Sequence, residues 1–280
     1  DERAAETRFA SAVERDPDGV AAEFQKRLDA SDAPNVYETD AAKLLSPDYN
    51  PPGASDDEAK EARAKFNTAT HTAANAIVKR AFVKKLDELA KLPEDDPRRT
   101  ILVTSGGVAA GKGYALKNVP GAADVRAKVG AVWDAAGEQN ATENPWVLKE
   151  ARARGLKPVF AYVDADPREV WTSPTRGVVE RAGKVGRMVD ARLFAESHVL
   201  GARNFKAFMD QSRGQADFIV LTRRGGPVKQ LNAVPDAALA VKPKALRRWA
   251  VDELRKSNAP DFVKRAGVVH QRVWRTRRAG

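Results

Sequence analysis

Ile101-Leu102-Val103-Thr104-Ser105-Gly106-Gly107-Val108-Ala109-Ala110-Gly111-Lys112-Gly113 reads as a buried strand that runs into a glycine-rich bend and then into a helix. The bend has the pattern G-x-x-x-x-G-K. Glycines let successive backbone N–H groups curl around phosphate oxygens, and a lysine ammonium supplies a point charge to the outer two. The helix starting near Lys112 directs its positive dipole end to the same place. The apolar strand upstream and the helix-compatible Tyr114-Ala115-Leu116-Lys117 downstream are the neighbours such a loop requires. Gly106, Gly107, Val108, Ala109, Ala110, Gly111, Lys112, Gly113 and Tyr114 are therefore the expected binding residues for ATP or GTP. Position 113 is glycine, where a Ser or Thr hydroxyl ordinarily ligates Mg²⁺. Mg²⁺ is then expected to be held by water, by the phosphates, or by another residue such as Asp134 or Ser105.

Downstream of the loop, short runs rich in β-formers recur at 129–133, 158–163 and 218–221. Helical stretches lie between them, notably 145–154, closed by Gly155 where a left-handed residue costs little. Strands alternating with helices imply a mainly parallel sheet sandwiched by helices, an α/β fold of the P-loop NTPase type. Upstream, the chain reads as a helical N-terminal extension. Helices are expected over 4–13 and 20–28, separated by the turn signal Asp16-Pro17-Asp18-Gly19, with a short segment at 41–45. A long helix is expected over 55–92, with Phe66, Ala69, Ala73, Ile77 and Ala81 as its buried stripe. A helix over 245–256 and a basic tail follow Pro243. The expected division is a helical segment over 1–99 packing on the core, a P-loop core over 100–243, and a C-terminal helix and tail over 244–280.

Composition narrows the chemistry. The 280-residue chain has no cysteine, which excludes disulfides, thiolate metal sites and cysteine nucleophiles, and only three histidines. No apolar run approaches the ~18 residues a membrane helix needs, so no membrane role is expected. The formal charge of +10 suits a polyanionic ligand in the broad sense, be it nucleotide phosphates or nucleic acid, and also simple solubility.

Phosphoryl transfer from a loop of this kind needs a carboxylate near the acceptor hydroxyl and usually one near the metal. Asp134 follows the run 129–133, so it is expected at the carboxyl end of a strand, on the edge that carries the loop. It is the expected catalytic and metal-side acid, against the plainer role of a turn or capping residue. Glu138 and Glu143 follow it and are expected to reach substrate. Asp166 precedes Pro167 and reads as a helix cap, and Asp164 as a weaker second carboxylate. Arg168, Arg176, Arg181, Lys184, Arg187, Arg192 and Arg203 form a basic stretch with Gly183 and Gly186 interleaved. Arginine meets the charge of a moving phosphoryl group with paired planar donors, and the glycines suit a closing lid. Arg181 and Arg187 are the catalytic candidates there; His198 reads as structural. The tail places Lys264, Arg265, Arg272, Arg275, Arg277 and Arg278 around Trp274, a pattern that suits a solvated helix first and nucleic-acid contact second.

The stretch from Thr100 to about Leu231 resembles the zeta toxin family of P-loop kinases. The resemblance rests on Gly106-Gly107-Val108-Ala109-Ala110-Gly111-Lys112, on Val132-Trp133-Asp134-Ala135-Ala136-Gly137 and on Ala161-Tyr162-Val163-Asp164-Ala165-Asp166-Pro167. It extends to Gly186-Arg187 and to the strand 218–221 before Arg223-Arg224-Gly225-Gly226, and more loosely to Asn67–His71 on the preceding helix. It implies a phosphotransferase that uses ATP or GTP to phosphorylate a nucleotide sugar, in founding members UDP-N-acetylglucosamine at its 3′-hydroxyl. Lys112 would match the phosphate-loop lysine and Arg187 the lid arginine. Asp134 would match either the catalytic aspartate or the acidic Gly-Thr motif. An antitoxin or immunity protein would be the partner, and the setting a bacterial cytoplasm, its own or a target cell's. The chain departs from that pattern in two places. Only sixteen residues, 117 to 132, lie between Lys117 and the Trp133 strand end, too few for a full strand–helix unit, and Asp134-Ala135-Ala136 lacks the hydroxyl of the acidic motif. Related kinases that phosphorylate NAD, a polynucleotide 5′-hydroxyl kinase, and a non-catalytic nucleotide-binding module of a larger phage or secreted protein are the rival expectations.

Overall fold

The computed structural model describes residues 2–135, 137–175 and 177–268, which leaves Ala136, Arg176 and the basic tail around Trp274 outside the description. The chain opens with α1 (Glu2–Arg15) and α2 (Pro17–Asp29), then β1 (Val36–Glu38) and α3 (Thr39–Lys43). Helices α4 (Asp56–Phe66) and α5 (His71–Leu89) lead to β2 (Thr100–Gly106). Then come α6 (Lys112–Asn118), α7 (Pro120–Lys128), β3 (Ala131–Asp134), α8 (Asn140–Arg152) and β4 (Lys157–Asp164). Next are α9 (Pro167–Thr172), α10 (Val178–Val185), α11 (Ala191–Gln211), β5 (Asp217–Thr222) and β6 (Lys229–Leu231). The described chain ends with α12 (Asp236–Leu239), α13 (Pro243–Lys256) and α14 (Asp261–Val268).

The strands form one six-stranded sheet in the order β1-β3-β2-β4-β5-β6, parallel except for β6 at one edge. Both faces are covered, which is why β2 and β4 read as continuous apolar runs. Ile101 and Val103 of β2 face a core built with Phe82, Trp133, Phe160 and Phe205. Leu102 faces the other core, with Leu116, Val132, Val163, Trp171 and Phe194. The α/β expectation of a mainly parallel sheet holds. Among the described residues no helix is long and apolar enough to cross a membrane.

The N-terminal segment departs from its expected all-helical character, because β1 joins the sheet as an edge strand beside β3. This strand supplies the sheet edge that the short 117–132 connection leaves open. Three residues are held there by more than ladder bonds. Val132 N–H donates to Asn35 O at 2.7 Å, and the Asn35 amide donates to Val129 O at 3.2 Å. Tyr37 is fully buried edge-on against Phe82, which packs at a tilt on Trp133, with centroids 5.2 and 5.0 Å apart. Its hydroxyl donates to Gln25 at 2.9 Å.

The expected helix over 55–92 is two helices, α4 and α5, broken at residues 67–70. Asn67 ends α4 with its backbone still in the right-handed helical region. Its side chain accepts from Lys43 Nζ at 2.7 Å and donates to Met188 O at 3.0 Å, and these tertiary bonds outweigh the weak helical preference of Asn and Thr. The Asp16-Pro17-Asp18-Gly19 signal is the capped first turn of α2, with the Asp16 carboxylate accepting from Gly19 N–H at 2.9 Å. Pro145, expected at a helix start, lies inside α8, which begins at Asn140.

Candidate phosphate-loop site

The carboxyl ends of β1, β3, β2 and β4 lie along one edge of the sheet, and the 106–111 loop leaves from the middle of that edge. The loop is curved rather than extended. Gly106, Ala109 and Gly111 have φ of 150°, 57° and 78°, the kind of backbone from which anion-binding nests are built, while Ala110 N–H turns inward to Gly107 O at 3.0 Å. Gly111 precedes α6, and the first N–H groups of that helix, those of Lys112 and Gly113, have no intrahelical partner.

The loop is braced from beneath by two consecutive residues of α11. Ser197 Oγ accepts from Val108 N–H at 3.1 Å, and His198 Nε2 donates to Val108 O at 3.0 Å. His198 is buried against Phe194, and burial pushes its pKa down to about 4, so the ring is neutral near pH 7. Its expected structural role is the one it fills. From the β5 side, Arg223 donates to Ala110 O at 3.0 Å and lies over the Tyr114 ring at 5.5 Å.

The acids stand in a row. Glu38, Asp134 and Thr104 are register partners across β1, β3 and β2. Because Tyr37, Trp133 and Val103 face the opposite core, the three point to the face that carries α6. Lys112 Nζ reaches Asp134 Oδ1 at 3.0 Å and Ala135 O at 2.8 Å, and the Thr104 hydroxyl donates to the same carboxylate oxygen. Glu38 has no basic group within salt-bridge distance among the described residues. Burial pushes its pKa up, the Asp134 charge adds to that, and Arg187 and Lys112 pull the other way.

Across from this row lies the basic stretch. Arg187 pairs with Asp40, which also takes the Lys43 ammonium at 2.9 Å. Burial alone would raise the Asp40 pKa, but Lys43 and Arg187 together hold it well below the usual carboxylate range. Arg181 lies in the same cluster, and burial followed by Arg187 lowers its pKa. The glycines of this stretch do not loosen it. Gly186 caps α10 with φ of 76°, and any side chain there would run into the backbone of Lys60 on α4. The lid expected from Gly183 and Gly186 is thus docked on α4.

Lys112, Asp134, Arg181 and Arg187 are therefore brought to one region, as the sequence suggested. Glu143 is not. It is buried beneath the sheet edge, accepting from Trp133 Nε1 at 3.1 Å and Asn75 Nδ2 at 3.0 Å, so the assignment to substrate binding is withdrawn. Glu138 lies in the turn Gly137–Gln139 that follows β3. Asp164 accepts from Thr222 and Arg224 at 2.9 and 2.8 Å and ties β4 to β5, while Asp166 caps α9 as expected. Sequence reasoning missed Glu38, Asp40 and Lys43. The signal available was a tyrosine-bearing triplet ending in an acid, before a short amphipathic segment.

Among the described residues no three His, Asp or Glu side chains cluster as a metal cage. Mg²⁺ needs only one or two carboxylates when phosphate oxygens complete its shell. Asp134 with the adjoining Thr104 hydroxyl, and Glu38 beside them, fit that requirement; Gly113 offers no hydroxyl. A scan against models of known protein families finds none that matches the chain, and a comparison with characterised proteins returns no match.

Proposed function

We propose that the protein is a P-loop kinase that moves the γ-phosphoryl group of ATP or GTP to a hydroxyl of a nucleotide-type small molecule. The observation that carries this reading is the acid row Glu38–Asp134 on the face of the sheet onto which Lys112 opens, with two arginines opposite. The loop amides and Lys112 hold the triphosphate. The acceptor hydroxyl approaches from the β1 side, where Asp134 orients it and Glu38, outside any direct ion pair and raised in pKa, takes its proton. The acceptor oxygen bonds to the γ-phosphorus, the bond to the β,γ-bridging oxygen breaks, and the nucleoside diphosphate leaves. Arg181 and Arg187 meet the charge on the moving group. Mg²⁺, when bound, draws charge off the phosphoryl oxygens.

The resemblance to zeta toxin kinases directs the choice of acceptor to a UDP-amino sugar such as UDP-N-acetylglucosamine, with NAD-type dinucleotides next. On that reading the protein acts in a bacterial cytoplasm, its own or a target cell's, and an antitoxin or immunity protein restrains it. The test is incubation with γ-labelled ATP or GTP and a panel of nucleotide sugars, NAD and 5′-hydroxyl oligonucleotides. A labelled small-molecule product made by the parent and not by Lys112→Ala is expected. Nucleotide binding without transfer to any acceptor would defeat the kinase reading, and transfer to oligonucleotides alone would move it to nucleic acid.

A further inference from the structure

On the far side of the Asp40–Arg187 pair from the phosphate loop, three pieces of chain converge. The stretch after α3 carries Ser46, Tyr49 and Asn50; α4 carries Arg63; α10 and the turn after it carry Arg181 and Arg187. Packing fixes them together. Arg63 donates to Asn50 Oδ1 at 2.9 Å, Asn50 N–H donates to Ser46 O at 2.9 Å, and the Gly186 turn lies against the Lys60 backbone.

The polar groups in this corner are not satisfied by one another. Ser46 and Tyr49 are essentially fully buried, yet Ser46 Oγ, Tyr49 Oη, Arg63 Nε and Arg181 Nε have no hydrogen-bond partner among the described residues. Among the described residues neither Arg63 nor Arg181 has a carboxylate within salt-bridge distance. Buried polar groups without partners are costly; Ser46 and Tyr49 are buried whole, Arg63 and Arg181 at Nε. A fold retains four such donors in one corner when something else accepts from them. All four can donate and two are permanently cationic, so the missing acceptor is an oxyanion.

We infer that Ser46, Tyr49 and Arg63 form a second oxyanion site, separate from the phosphate loop, that takes a phosphate group of the acceptor, with Arg181 at its border toward the moving phosphoryl group. This rests on the kinase reading for the word acceptor, and on the unpartnered donors alone for the site. Tyr49 lies within electrostatic reach of Asp40 and Arg187, and Glu38 of Asp40, Arg187 and Lys112, so a molecule held here by its phosphate presents a hydroxyl to the acid row, opposite the donor's γ-phosphoryl group. The site therefore favours phosphate-bearing acceptors over free sugars or nucleosides.

The test uses the full chain and inorganic pyrophosphate as probe, titrated calorimetrically into protein saturated with AMP-PNP or GMP-PNP. Pyrophosphate binding to the loaded protein is expected, weakened about tenfold or more in Tyr49→Phe and in Arg63→Gln. The melting temperature of Tyr49→Phe is expected to stay level or rise, since only an unpartnered hydroxyl is lost, so the weakened binding is not a consequence of unfolding. No pyrophosphate binding to the loaded protein, or equal binding by both variants, overturns the second site. If neither nucleotide analogue binds, the phosphate-loop reading fails, while pyrophosphate binding that still depends on Arg63 and Tyr49 upholds the second site.

Discussion

Replacing Gly107 by alanine tests how the phosphate loop is braced. A methyl group there would overlap Nδ1, Cε1 and Cγ of the His198 ring. The ring has little room to yield, being buried, packed on Phe194 with centroids 4.7 Å apart, and bonded to Val108 O at 3.0 Å. Overpacking of this kind costs about 1–3 kcal/mol. Losing the ring's bond to the loop adds roughly 1 kcal/mol, and the lower entropy of the unfolded alanine chain returns about 0.5 kcal/mol. The sum is a destabilisation of about 1.5–3.5 kcal/mol. At ~2–4 °C per kcal/mol, this is a fall of about 3–14 °C in melting temperature. Urea unfolding of Gly107→Ala, His198→Ala and the double variant measures it. His198→Ala removes the obstacle, so the double variant should lose at least 1 kcal/mol less than the sum of the singles, by about the coupling expected of touching residues. Additive effects, or a Gly107→Ala protein within about 0.5 kcal/mol of the parent, would show that the loop does not rest on this ring.

The remaining expectations concern chemistry, metal and pH. Phosphoryl transfer should fall as pH drops, with an inflection above the ordinary Glu value of 4.5, because Glu38 must be ionised to accept a proton and its pKa is raised. Glu38→Gln should cost about 10²–10⁴-fold in rate and remove that limb; a pH profile unchanged by the substitution would reassign the base. Gly113 has open space where a side chain would begin, so Gly113→Ser should fold normally and lower the Mg²⁺ concentration for half-maximal nucleotide binding by about tenfold. Nucleotide binding with the same Mg²⁺ dependence would exclude position 113 from the metal's surroundings. His71 and His198 are both held neutral, with burial pushing each pKa from 6.5 down to about 4. The unfolded chain therefore binds more protons than the folded one between these values, and stability should drop as pH falls from about 6.5 to about 4. The drop should be smaller in His198→Gln, as followed by urea midpoints.

Where the chain carries local signals, its sequence discloses the fold. The strand 101–106, its glycine bend and the helix after it are contiguous, so apolar run and loop chemistry suffice to find Lys112. Asp134 and Arg187 follow from their place at the end of a strand and beside a glycine. β1 escapes because three residues show no period, and its partner β3 lies about a hundred positions along the chain. Its identity as a strand depends on Tyr37 meeting Phe82, a contact no local pattern announces. The break between α4 and α5 escapes for the same reason, since the Asn67 side chain that marks it bonds Lys43 and Met188 O from elsewhere in the chain. Glu143 misleads because it follows a strand end like a site residue, yet the helix that carries it turns it beneath Trp133.

The acid-bearing edge strand enters the sheet from upstream of the phosphate loop, and the two halves of the site are joined by an exposed connection at Pro93–Asp95. Severing the chain there would leave one piece with Glu38, Asp40 and Tyr49 and another with Lys112, Asp134 and both lid arginines. Neither piece holds the whole of the proposed site, so phosphoryl transfer by such a split protein would report reassembly of the two fragments.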